Sequence, residues 1–258
     1  RNRNAFEEKW ESIGLFVKYG MISDEKFYEK AGSYCLYKDE ENTYFTLEEL
    51  KEKTKDNQTD KNQKLILLYS SDLSLQNSYV EAVKKKNYKV LEMNEVLDQA
   101  FIQHIESKSS DLRFSRVDAD TPDKIIEKDE NIESILSKEE EEKLKQIFID
   151  NIKDRPFDIE LKAMGADESP VMVTQNEFMR RMKDMSKYGG AYSFMGTMPE
   201  RYNLIVNTNH PLSSKLLRAR KKEELVSQLF DLALLSQGLL QGKSLTDFIN
   251  RSVNVLTE

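Results

Sequence analysis

At 258 residues the chain is long for one domain and points to two, and its 38% hydrophobic and 33% charged residues describe a well-solvated globular protein with long surface helices. A net charge of −7 argues against a general nucleic-acid binder, and no window nears 18 uninterrupted apolar residues, so no membrane partner is expected. The single cysteine, Cys35, allows no internal disulfide and, with no signal peptide visible, indicates a reducing, cytoplasmic compartment.

The opening Arg1-Asn2-Arg3-Asn4, without an initiator methionine, reads as a fragment or processed product. Phe6, Trp10, Ile13 and Val17 recur at helical spacing and predict a helix over 4–20 that ends at Gly20 as a C-cap. A second helix is expected after Ser23, running through Phe27 to Ala31. Thr46-Leu47-Glu48-Glu49 has the form of a capping box. Lys51 to Lys64 is polar and reads as a solvated loop.

Leu65-Ile66-Leu67-Leu68-Tyr69 is a short continuous apolar run, the mark of a strand buried on both faces. A helix over 74–86, a strand over 88–93 and a helix over 95–106 complete a β-α-β-α unit with a parallel sheet. Such units often bind nucleotides through a glycine-rich turn after the first strand. Here that turn is Ser70-Ser71-Asp72-Leu73, without a glycine, which favours a structural layer over a phosphate cradle.

The acidic, proline-containing stretch 118–131 reads as a linker or surface segment. Ser137-Lys138-Glu139-Glu140 is a second capping box, and the glutamates that follow suit a solvated first turn. Residues 157–163 alternate apolar and polar, so they form a strand with one face on a core; Pro170 to Thr174 is expected to return beside it as a hairpin. Tyr202 to Asn207 adds a third strand, and Pro211 starts a helix. Between them, a helix over 175–188 carries Phe178, Met179, Met182 and Met185 on one face, with Arg180, Arg181, Lys183, Asp184 and Lys187 around the rest. Core packing explains such a stripe. An adaptable binding face also explains it, because methionine repacks against many shapes.

Lys222 to Leu256 gives two leucine-rich helical segments split at Gly242-Lys243-Ser244. The first is apolar over more than half its circumference, more than one packing partner needs. A buried helix of a monomeric core is one explanation. Burial against a second copy is the reading taken here, because closed twofold pairs are the commonest soluble assembly. Leu229, Leu232, Leu235, Leu239, Phe248, Ile249 and Val253 are expected at the interface. The fold class is thus α/β and α+β: a β-α-β-α unit with flanking helices, then a small three-stranded sheet with helices ending in a dimerizing pair.

No catalytic or metal pattern emerges. His104 and His210 lie far apart without cysteine or carboxylate at ligand spacing, and no Walker, GxSxG, HExxH or CxxC sequence occurs. Cys35 between Tyr34 and Leu36 reads as a small buried hydrophobe.

The run Leu229-Phe230-Asp231-Leu232-Ala233-Leu234-Leu235-Ser236-Gln237-Gly238, followed by Phe248-Ile249-Asn250-Arg251 and Leu256, resembles the end of the heat-shock protein 90 chaperone family. Lys84 to Leu91 through Leu97-Asp98, Ser169 to Thr174, and Lys18-Tyr19-Gly20 are similar to further segments of that family, in collinear order. The absence of an acidic pentapeptide tail makes the bacterial type the closer match. The resemblance implies a distal middle domain over 1–112 and a carboxy-terminal dimerization domain over 113–258. It further implies an ATP-driven chaperone that assists folding under stress, with ATP, magnesium and the ATPase machinery upstream of Arg1. This piece is then expected to be no enzyme and to hold no cofactor. Unfolded clients would meet Phe101 and its neighbours, and Phe178, Met179, Met182 and Met185. The alternative is a self-associating adaptor or regulator without chaperone activity.

Overall fold

The computed structural model describes residues 2–128, 132–152, 155–186 and 201–257. The chain divides into two compact units, Arg1–Asp129 with Glu177–Gly196, and Glu130–Asn176 with Thr197–Glu258.

The first unit opens with helix α1 (Arg3–Ser23), capped by the Asn2 side chain, and α2 (Glu25–Ala31), capped by Asp24. Gly20 does not end α1, which runs on to Ser23. Instead Gly20 leaves room for the Phe27 ring: a Cβ there would meet ring carbons at 2.8 and 2.9 Å. A two-stranded ribbon follows, β1 (Tyr37–Lys38) antiparallel to β2 (Tyr44–Phe45).

The Thr46 capping box forms as expected: Glu49 N–H donates to the threonine oxygen, and the Glu49 carboxylate accepts the Thr46 N–H at 2.7 Å. It opens a full helix, α3 (Leu47–Gln58), where the sequence suggested a loop. The inward row is Leu50, Thr54 and Gln58, one apolar and two polar residues at helical spacing, so apolar periodicity missed it. The Gln58 side chain donates to Ile66 O at 2.8 Å and accepts from Lys89 N–H at 2.7 Å, which satisfies its buried amide.

The parallel sheet is β3 (Leu65–Ser70) between β4 (Val90–Glu92) and β5 (Leu112–Arg116), with α4 (Asn77–Lys84) and α5 (Asp98–Lys108) as crossovers. Every residue of β3 is buried, as its unbroken apolar run requires. β5 reads LRFSR and was not anticipated, because its alternation is short and its outward residues are charged. Leu112, where the sequence suggested a domain edge, is the first residue of this strand. Beyond it the expected linker contains a short helix, α6 (Pro122–Ile125), followed by fully buried Ile126. The core gathers Trp10, Met21, Leu36, Tyr37, Leu67, Tyr69, Phe101 and Phe114 among others.

In the second unit α7 (Lys138–Ile152) starts at its capping box: Ser137 and Glu140 exchange bonds of 2.9 and 3.3 Å. The sheet is β6 (Phe157–Lys162), β7 (Val171–Thr174) and β8 (Tyr202–Asn207) in the order β6-β8-β7. The expected β6–β7 hairpin does not form; β8 lies between them, parallel to β6 and antiparallel to β7. β8, whose last four residues are buried, takes the centre; β6, half covered, and β7, buried throughout, take the two edges.

The connection from β7 to β8 includes α8 (Glu177–Ser186), which packs in the first unit. Then come α9 (Pro211–Arg218), α10 (Lys222–Ser236) and α11 (Gly242–Thr257). α10 ends at Gly238, not at Gly242: Gly238 has φ +66°, and Leu239 N–H reaches back to Leu234 O at 2.9 Å.

Candidate interaction surfaces

The closing helices are built from the inside outward. Val226, Leu229, Phe230 and Ala233 of α10 and Phe248 of α11 turn into the second core with Leu144, Phe148, Leu204 and Val206. Phe157 stacks on Tyr202 and meets the edge of Phe230 at ring separations of 5.6 and 5.0 Å. α11 is fixed on α10 by Arg251, which donates to Asp231 at 2.5 Å and to Gln228 at 2.9 Å, while Gln228 donates to Ser252.

With those faces used, both helices keep a second apolar row. Leu232 and Leu235, three apart on α10, are 45% and 44% exposed, and Leu239 just beyond the helix is 37% exposed. Ile249 and Val253, four apart on α11, are half exposed. Of the seven residues expected at an interface, five stand on the uncovered rows, whereas Leu229 and Phe248 belong to the core.

α8 has the reverse of an ordinary amphipathic helix. Phe178 is 67% and Met179 40% exposed, and Met182 is half-buried. Three of its charged residues turn inward: Glu177 and Arg180 are buried and Arg181 nearly so. At about 100° per residue, Glu177, Arg180 and Arg181 fall on one face and Phe178, Met179 and Met182 on the opposite one. The polar face that the wheel suggested for Arg180 and Arg181 is thus not solvated. Arg180 donates to Glu177 at 2.7 Å and to the Tyr69 hydroxyl. Tyr69 in turn donates to Glu177 at 3.2 Å. Arg181 donates to Glu177 and to Glu106 of α5, both at 2.7 Å, and to Phe114 O of β5.

Burial works against ionisation of Glu177, but the guanidinium groups of Arg180 and Arg181 outweigh it and hold the carboxyl below its ordinary range. Burial also pushes the Tyr69 phenol up to about 12. The only trace of this cluster in the sequence is the spacing of Glu177 with Arg180 and Arg181, three and four residues on.

Other expected site residues fall elsewhere. Phe101 is fully buried, 5.9 Å from the Tyr37 ring, and so belongs to the first core and not to an exposed face. The Met185 side chain, and the glycine-rich stretch 189–196, lie outside the described residues. At the end of β3 the turn fills itself: Gln76 accepts from Ser70 and from Ser71 N–H, Ser70 accepts from Asp72 N–H, and Asp72 accepts from Ser74 and Leu75 N–H. Those amides are engaged within the turn itself. His210 caps α9, its Nδ1 accepting from Leu212 N–H at 3.1 Å. Among the described residues no three His, Cys, Asp or Glu side chains converge as a metal site, and no helix is long and apolar enough to cross a membrane.

The features together define a two-unit α/β protein that displays apolar helix faces and carries no recognisable catalytic cluster among the described residues. The Hsp90 protein family model matches residues 1–258, and the chain belongs to the Hsp90 family. It is similar to the chaperone protein htpG of Bacteroides fragilis (strain YCH46), 40% identical over 86% of this chain and 33% of the relative. The chaperone proteins HtpG of Bacteroides thetaiotaomicron and Porphyromonas gingivalis (strain ATCC 33277) are each 32% identical over 99% of this chain and 48% of their own length. The chain thus spans about a third to about half of these relatives.

Proposed function

We propose that this chain is the self-pairing and client-presenting portion of a molecular chaperone, cytoplasmic and without a nucleotide site of its own. The observation that carries the pairing is the uncovered row of Leu232, Leu235, Leu239, Ile249 and Val253 on two helices already packed on a full core. Such a row suits an isologous contact, in which the same patch serves both copies. The exposed Phe178 and Met179, with half-buried Met182, form the client face in this reading. Two such faces in one dimer gain avidity through effective concentration. The self-satisfied turn after β3 supports assigning ATP chemistry to no residue of this stretch.

Light scattering and sedimentation test the pairing. The chain should be a dimer at micromolar concentration, and Leu232→Glu with Ile249→Glu should give a monomer of unchanged helix content. A monomeric unaltered chain would remove the reading. A second reading, a self-associating adaptor, predicts the same dimer without any suppression of client aggregation.

A further inference from the structure

α8 belongs to the first unit by packing, although its chain neighbours β7 and β8 belong to the second. Its seat is polar. Among its described side chains those buried are Glu177 and Arg180, with Arg181 nearly buried, and what they meet on the α/β unit is the Tyr69 hydroxyl, the Glu106 carboxylate, Phe114 O and Arg116 N–H. Gln99 donates to the same Tyr69 oxygen at 3.4 Å, and Arg180 stacks over the Tyr69 ring at 5.6 Å. The described apolar side chains of α8 point the other way.

A helix seated by buried apolar surface is costly to lift, because that surface must be returned to water. One seated by ion pairs regains hydration when it leaves, so the two states lie closer in free energy. The backbone groups that α8 meets lie on the free edge of β5: Glu177 accepts the Arg116 N–H and Arg181 donates to Phe114 O, on the side of the strand turned away from β3. α8 thus covers a sheet edge with ion-paired side chains.

We propose that α8 is a releasable strap on the α/β unit, held by Tyr69 and Glu106, and that its release enlarges the apolar face it carries. Seated, α8 shows Phe178 and Met179 and keeps Met182 half-covered; lifted, it frees all three. The strap rests on the client-face reading only for what that face is used for; the release itself does not depend on it.

Hydrogen exchange of the intact chain tests the release through two volume-conserving variants, Tyr69→Phe and Glu106→Gln. Tyr69→Phe removes the hydroxyl that bonds Glu177, Arg180 and Gln99, and Glu106→Gln removes the charge that Arg181 faces; hydrogen bonds to charged groups are strong enough that amide exchange over 177–186 should quicken about tenfold or more. Protection of β3 and of β8 should stay as it was, and 8-anilinonaphthalene-1-sulfonate fluorescence should rise. Unchanged exchange in α8 for both variants overturns the strap, as does an equal acceleration throughout the first unit, which would make the cluster part of the core. Faster exchange without added dye binding overturns the enlargement of the face. If exchange and dye binding both rise while suppression of client aggregation does not change, the strap stands and the client reading of the face fails.

Discussion

Lys18 and Asp98 show how a single pair carries weight in the first core. The ammonium lies 2.6 Å from one carboxylate oxygen, and the other accepts Glu95 N–H at 2.9 Å. Both side chains are nearly sealed from water. Bringing such a pair inside costs desolvation that attraction only offsets, but removing one member leaves a buried charge alone. Asp98→Ala should therefore lower the unfolding free energy by about 3–5 kcal/mol, whereas Lys18→Met with Asp98→Leu should recover most of it. Urea midpoints at neutral pH read the difference, and equal losses in the two variants would show that packing rather than charge dominates. Nearby Cys35 behaves as the sequence suggested: burial pushes its thiol up to about 12, so it stays a small neutral hydrophobe.

Among the elements, α8 departs furthest from its sequence pattern, and acid should expose that. Glu177 faces Arg180 and Arg181 on its own helix, Tyr69 on β3, the Arg116 amide on β5 and, through Arg181, Glu106 on α5. Its folded-state pKa lies below the ordinary 4.5. A lowered carboxyl pKa lends stability that is fully present above the unfolded value and is lost as pH falls through the folded one. Amide protection of α8 should thus be constant from neutral pH down to about 4.5 and decline below it. The Glu106→Gln background separates Glu177 from the second carboxylate. Protection that is flat to pH 3 would contradict the sign. α10 offers a simpler case: Gly238 at φ +66° ends it, and Gly238→Ala should cost about 1 kcal/mol in a thermal melt.

For the whole molecule, client protection is the property to measure. Met179 and Met182 do not belong to either buried core. Changing both to serine should weaken suppression of a model client's aggregation while moving the unfolding free energy by less than about 1 kcal/mol. Truncating a fully buried methionine costs about 2–5 kcal/mol. A loss of that size with protection intact would assign both methionines to packing and leave the client surface elsewhere.

The sequence by itself determined the elements whose signals are local. The capping boxes at Thr46 and Ser137, the buried run of β3, the start of α9 at Pro211 and the excess of leucine in α10 all depend on neighbours within a few residues. The surplus of apolar surface near the carboxy terminus was legible for the same reason. Tertiary structure alone decided which surface each element covers. β8 enters between β6 and β7, pairing with segments about 30 or more positions upstream, and alternation within each strand does not specify which strands become neighbours. Phe101 is drawn inward by Tyr37, which lies 64 positions earlier in the chain. α8 turns Glu177, Arg180 and Arg181 in and Phe178 and Met179 out because Tyr69 and Glu106, far upstream, supply partners that periodicity cannot see. A helical wheel ranks faces by transfer from water, and that ranking inverts where distant groups satisfy buried charge.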